Sequence, residues 1–340
     1  MLNLNLNKND MPLFLWVSLL ILSLFLLVLV GGATRITDSG LSITEWKPFI
    51  GFIPPLTSET WLLEFEKYKK IPEYILINYE MNISEFKTIY LWEWGHRFLA
   101  RLVGLIAFLP FLYFVITKRL NKSQKIKSFI IVILIGIQGY IGWYMVKSGL
   151  VERVDVSQYR LATHLTMAFV IIYTSLFLMF DILRIKTFKI TYNTTIWANI
   201  FLFIIFLQIF IGGIVSGLDA GLIYPTWPRM GEYFIPLDYW SYELSIYNLL
   251  ENRSNVQFNH RTIGYLIFIM SSINLIIFRN KPSLFKLSII IFILVLIQIF
   301  FGILSVLFSM TWQTALTHQF FALILFSSSC LFKYLLRHSK

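Results

Sequence analysis

Apolar positions in this chain are grouped in runs of about twenty, the length that carries a helix across a bilayer. Between the runs lie short polar segments that alternate in character. The runs predict helices at roughly 13–33, 91–117, 128–146, 160–183, 194–216, 257–278, 287–309 and 313–335. In the second, fourth, sixth and eighth, His, Arg, Glu or Gln interrupts the first turns. The first run follows Lys8 and has a core too long for a signal peptide, so it reads as a retained helix. Only a dozen residues precede it, too few for an Arg-rich mitochondrial transit peptide.

Composition agrees with this pattern. Of 340 residues 57% are hydrophobic and 14% charged, against about 25% charged in a typical soluble domain. Mean hydropathy is +0.70. The fold class is therefore all-α: a polytopic membrane protein of eight transmembrane helices. A soluble enzyme, a disordered chain and a secreted disulfide scaffold are excluded. The single cysteine, Cys330, lies in an apolar run and allows neither an internal disulfide nor a thiolate metal site.

The net charge of +11 is a topology signal. The amino terminus, 118–127, 184–189, 279–286 and the tail carry 15 Lys/Arg, with only Asp10 and Asp181 as acids. The opposite segments, 34–90, 147–158 and 217–255, carry 10 Lys/Arg against 15 Asp/Glu. The positive-inside rule then puts both termini in the cytoplasm and the two long loops outside. The expected location is a bacterial cytoplasmic (inner) membrane, and nucleic acid is not an expected partner. Segment 49–90 reads as short amphipathic helices on the membrane surface, and 223–236, rich in Pro, Gly and aromatics, as an irregular loop.

The chain also repeats itself. GGATRITDSGLSITEWKP (31–48) aligns without a gap on GGIVSGLDAGLIYPTWPR (212–229), with six identities in eighteen positions: Gly31/Gly212, Gly32/Gly213, Asp38/Asp219, Gly40/Gly221, Leu41/Leu222 and Trp46/Trp227. Each block ends an odd-numbered helix, so the orientation is preserved and the repeat is parallel. Two four-helix bundles are expected, 1–190 and 191–340. EWGHR (93–97) corresponds to QFNHR (257–261), and His164 to His318. A Gln-x-x-x-Gly spacing recurs at Gln138/Gly142, Gln208/Gly212 and Gln298/Gly302; these glycines serve either helix packing or the approach of a flat ligand.

Four of the five histidines, His96, His164, His260 and His318, open the even-numbered helices at one depth. Ionisable groups inside a bilayer are costly and usually functional. Each half offers two imidazoles from different helices in apolar, Phe-rich surroundings, which suits axial ligation of haem iron better than zinc. Arg97, Arg101, Arg160 and Arg261 lie near the same end, placed either to neutralise haem propionates or to snorkel and form local pairs such as Glu93–Arg97. The halves differ three residues before the first histidine: Glu93 in one, Gln257 in the other. A carboxylate there can accept protons or steer a polar intermediate, which an amide cannot do; alternatively Glu93 serves only to pair with Arg97.

With these motifs in place the sequence resembles the haem A synthase family. The likeness is carried by 31–42, 93–97, 156–165, 212–228, 255–265 and 316–319, in the family's order. It implies oxidation of the C8 methyl of haem O to a formyl group by successive hydroxylations and loss of water, giving haem A for cytochrome oxidase. It implies that His96 and His164 flank the haem O substrate, that His260 and His318 hold a haem b cofactor, and that Glu93 is catalytic. The long loops contain no Cys, as in the family's cysteine-free class from proteobacteria and mitochondria, so a thiol mechanism is not expected. A haem O synthase, cytochrome oxidase assembly factors and further copies of the chain are the partners the resemblance suggests. The competing readings are a quinol-linked dihaem electron carrier of the cytochrome b type and a duplicated transporter. The first would stack its haems across the membrane, and the second would place its polar groups at the midplane.

Overall fold

A computed structural model describes residues 6–47, 50–152, 154–188, 191–239 and 246–337. It contains the helices α1 (Met11–Ile36), α2 (Ser58–Tyr68), α3 (Pro72–Leu76), α4 (Ile83–Ile116), α5 (Lys122–Glu152), α6 (Gln158–Ile182), α7 (Tyr192–Gly217), α8 (Ile246–Glu251), α9 (Arg253–Phe278), α10 (Pro282–Leu307) and α11 (Trp312–Leu335). Eight of these, all but α2, α3 and α8, are long and apolar enough to cross a membrane. They fall on the eight apolar runs. No strand is found among the described residues, only an isolated bridge between Met230 and Tyr233 in the irregular loop.

Two helices reach furthest beyond their apolar runs. α4 starts at Ile83 because Asn82 caps the Ser84 and Glu85 amides while Glu85 returns a bond to the Asn82 amide, a reciprocal cap. Its first two turns are amphipathic and bury Phe86 and Tyr90. α5 runs on to Glu152 rather than stopping at 146.

α1, α6, α7 and α11 form the interior, with α4 and α5 outside on one side and α9 and α10 on the other. The central stretch of α6 is 50% buried and that of α5 only 6%, so α5 turns most of its surface outward. At the middle Phe326 of α11 meets Phe169 of α6 edge-on at 5.0 Å and Phe206 of α7 at 4.9 Å. Such contacts add about 0.5–1.5 kcal/mol each beyond area burial.

At the end holding the termini, Asp181 receives Lys127, Arg337 and the Tyr334 hydroxyl, and Asp10 pairs with Arg184. Both acids on this basic face are therefore neutralised. At the other end the long loops gather. The expected surface helices of 49–90 are α2 and α3, and α2 packs Trp61, Phe65 and Tyr68 against Phe86 and Tyr90.

The repeated aspartates have a physical reason. Asp38 and Asp219 take positive φ, 46° and 50°, just past the ends of α1 and α7, where Asp is among the few side-chain-bearing residues that adopt the left-handed region readily. Arg35 binds both, at 2.7 Å and 2.9 Å, and also the Ser216 carbonyl at 3.0 Å. One arginine thus ties the ends of α1 and α7 together.

Candidate functional site

All four intramembrane histidines lie in one layer near the loop end. Each is half-buried and faces a glycine on a neighbouring helix. A Cβ added to Gly31 would lie 3.1 Å from the His96 ring, at Gly142 2.9 Å from His164, at Gly212 3.1 Å from His260, and at Gly302 3.2 Å from His318. Gly31, Gly212 and Gly302 each lie five residues before the end of their helix. The glycines are the reason the imidazoles can sit flat against the next helix. His96 lies within electrostatic reach of His164, and His260 of His318. His96 and His164 are thus neighbours, as are His260 and His318.

His164, His260 and His318 each keep a buried Nδ1 with no hydrogen-bond partner. An orphaned ring nitrogen inside a protein carries a desolvation cost, and a bound metal centre would relieve it. No group of three or more His, Cys, Asp or Glu able to hold a metal ion occurs among the described residues. The donor set is thus pairs of imidazoles, which suits a haem iron and not a multi-carboxylate ion site.

Glu93 is 3% exposed. Its carboxylate accepts from the Ser42 hydroxyl at 2.7 Å, the Ile43 amide at 2.7 Å, and Arg97 Nε and Nη2 at 3.1 and 2.6 Å. Arg97 also donates to the carbonyls of Ile43 and Glu45, at 2.9 and 3.1 Å. The helix face that carries His96 is in this way stapled to the loop that follows α1.

In the second half the staple is rebuilt with other chemistry. Gln257, 3% exposed, donates to the carbonyls of Gly221 and Tyr224, at 3.3 and 3.2 Å. Arg261 donates to Tyr224 at 3.1 Å and Arg229 at 3.4 Å. Ile43 and Tyr224 are equivalent in the repeat, and both accept from the arginine after the first histidine. Only the first half adds a carboxylate.

The other sequence candidates are more dispersed. Arg101 donates to the Lys47 carbonyl at 3.0 Å and lies over the Phe52 ring. Arg160 rests on Tyr144, its guanidinium 4.6 Å from the ring centroid and 3.3 Å from the hydroxyl. A cavity of about 20 Å³, room for a water and no more, is bounded by Ile43, Glu45, Tyr90, Trp94, Arg97 and Arg101. Sequence reasoning missed Ser42 and Ile43 as partners of Glu93, and Glu73 of α3. The Glu73 carboxyl is 5% exposed. Burial, reinforced by the nearby Glu93 and Asp155 charges, pushes it up to about 8.

Fold and site together describe a multi-pass membrane protein with four half-buried histidines on its spanning helices and a buried carboxylate, Glu93, near one of them. The family of cytochrome oxidase assembly proteins matches residues 14–330. The heme A synthase of Chelativorans sp. is 43% identical over 320 residues, covering 93% of this chain and 89% of that protein. That of Mesorhizobium japonicum is 44% identical over 312 residues, 91% and 86% of the two chains. That of Wolbachia pipientis is 41% identical over 329 residues, 96% and 93%. The chain belongs to the cytochrome oxidase assembly protein family.

Proposed function

We propose that this chain is a haem A synthase, an oxidoreductase that converts the C8 methyl of haem O to the formyl group of haem A. The observation that carries the reading is the chemical difference between two otherwise matched sites: a buried carboxylate beside His96, a buried amide beside His260. A pure electron carrier needs no such difference.

His96 and His164 hold the haem O substrate in the first half, residues 1–190. His260 and His318 would hold a haem b in the second, residues 191–340, and that group would supply one-electron redox chemistry. Glu93 places a fixed negative charge one helical turn from His96, where it steers polar groups on the substrate and accepts a proton when Arg97 moves aside. Arg97 is paired with Glu93, so propionate binding is assigned to Arg101 and Arg160 in the first half and to Arg261 in the second. The charge asymmetry of the loops supports a bacterial inner-membrane location with both termini in the cytoplasm, and the haem layer then lies toward the outer surface.

The test is to co-express the chain with a haem O synthase, purify it, extract the haems and resolve them by reversed-phase chromatography. Haem A or its hydroxylated precursor beside haem b is the expected result. Haem b alone at two equivalents, with haem O present and unconverted, would overturn the reading in favour of a dihaem carrier.

A further inference from the structure

The glutamines of the recurring Gln-x-x-x-Gly spacing point at the histidines. Gln138 on α5 donates from Nε2 to the His164 carbonyl at 3.0 Å, with its amide nitrogen 3.4 Å from the ring Nε2. Gln208 on α7 does the same to His260, at 3.1 and 3.3 Å. Gln298 on α10 donates to the His318 carbonyl at 2.8 Å. In each case the glutamine stands four residues before the glycine on which the imidazole lies.

The fourth site departs from this. His96 lies on Gly31, and the residue four before Gly31 is Leu27. Leu27 and Gln208 occupy equivalent places, separated by the 181 residues that relate the two halves. Leu27 packs into the main apolar core, so a leucine is accommodated at this position. The glutamines gain nothing from packing over leucine. Gln138 and Gln208 even leave Oε1 buried without a partner, a desolvation cost that a leucine avoids. What the amide nitrogens do hold is the histidine carbonyls.

We propose that Gln138, Gln208 and Gln298 are positioning residues that lock three of the four imidazoles, and that Leu27 leaves His96 as the one ligand position built to release. The inference rests on the haem reading above. A side-chain amide bonded to the backbone carbonyl of a histidine fixes the turn of helix that carries the ring, as outer partners hold metal ligands in place. His96 lacks that restraint. An iron held by two locked imidazoles has no place for a further ligand, whereas one imidazole that can leave opens such a place. The open face of the substrate haem is then the face beside Glu93.

Carbon monoxide, which binds only ferrous haem with a free axial position, reads this directly. The holoprotein co-expressed with haem O synthase is reduced and titrated with carbon monoxide, and the bands are assigned by repeating the titration on His260→Ala, which should lack haem b. Wild-type protein should bind carbon monoxide at the first-half haem and not at haem b. Leu27→Gln should lower that binding about tenfold or more with haem content unchanged. Gln208→Leu and Gln298→Leu should make haem b reactive and shift its low-spin resonance signals. Gln208→Glu, of the same size but without the donor, should act as Gln208→Leu does, which separates the bond from packing. Equal reactivity of wild type and Leu27→Gln at equal haem content, or inert haem b in every glutamine variant that retains it, overturns this inference and leaves the function standing. A wild-type protein with no haem on these histidines overturns both.

Discussion

Replacing Glu93 by Gln changes one atom and removes one charge, and the hydrogen bonds around it set the consequence. The carboxylate accepts four bonds, two from Arg97 and one each from the Ser42 hydroxyl and the Ile43 amide. A glutamine can turn its oxygen to Arg97, which leaves its NH2 facing the Ile43 N–H. It can instead turn its oxygen to Ser42 and Ile43, which sets its NH2 against the guanidinium. Either way at least one donor is stranded beside an 18% exposed Arg97 side chain that has lost its counter-charge. Breaking a buried ion pair from one side costs about 3–5 kcal/mol. Because the cost falls on the staple between α4 and loop 39–47, it should appear as local opening rather than global unfolding. Hydrogen exchange at the Ile43 amide should speed up about a hundredfold or more, haem A should no longer form, and haem on His260 and His318 should be retained. Unchanged exchange at Ile43 would refute the hydrogen-bond argument. Normal haem A with loosened Ile43 would refute the need for the carboxylate.

Three further outcomes are expected. Because the folded-state pKa of Glu73 is raised to about 8 from an ordinary value of 4.5, the native state holds a proton that the unfolded chain has already lost between those values. Stability of the α2–α3 cover should therefore fall as pH rises from about 4.5 to 8 and level off above, and Glu73→Gln should flatten the profile; limited proteolysis of 58–78 against pH reads this. Arg35→Met should weaken the junction between α1 and α7 by about 1–3 kcal/mol, seen as faster exchange around 216–219 with haem content unchanged. Gln257→Glu adds a negative charge beside Arg261 and should lower the midpoint potential of the second-half haem in a redox titration, since it favours the more positive iron state; no shift would remove Gln257 from the electrostatics of that site.

Much of this was legible in the chain. Runs of twenty apolar residues can be satisfied only by spanning helices, so the eight spans followed directly, and the histidines stood out because imidazoles are rare in such runs. The beginning of α4 did not stand out. Residues 83–90 bury Phe86 and Tyr90 against α2 but expose polar positions between them, so hydropathy ends the run early and only the Asn82–Glu85 cap marks the true start. Arg35 was hidden for a different reason. The repeat displays Asp38 and Asp219 as a matched pair, yet their partner appears once, because the ends of α1 and α7 converge and a single guanidinium serves both carboxylates. The glutamine spacing was visible, but its target was not. Nothing in a linear sequence says that the amide of Gln138 reaches across to a histidine 26 residues further on.

Duplication supplied two copies of one scaffold, and the difference between them is concentrated at a few atoms. At the loop position shared by Ile43 and Tyr224 the arginine bond is kept in both halves. Beside it, the first half places a carboxylate that accepts from the loop, and the second an amide that donates to it. Arg97 therefore faces a carboxylate in the first half, whereas Arg261 in the second has an amide, Gln257, at the corresponding place. Around a haem, an extra positive charge favours the reduced iron and a neutral pair does not. On the proposed assignment, that charge would favour electron flow from the Glu93 site toward His260 and His318. On that assignment, the single exchange of Glu93 for Gln257 is what would separate the roles of the two histidine pairs.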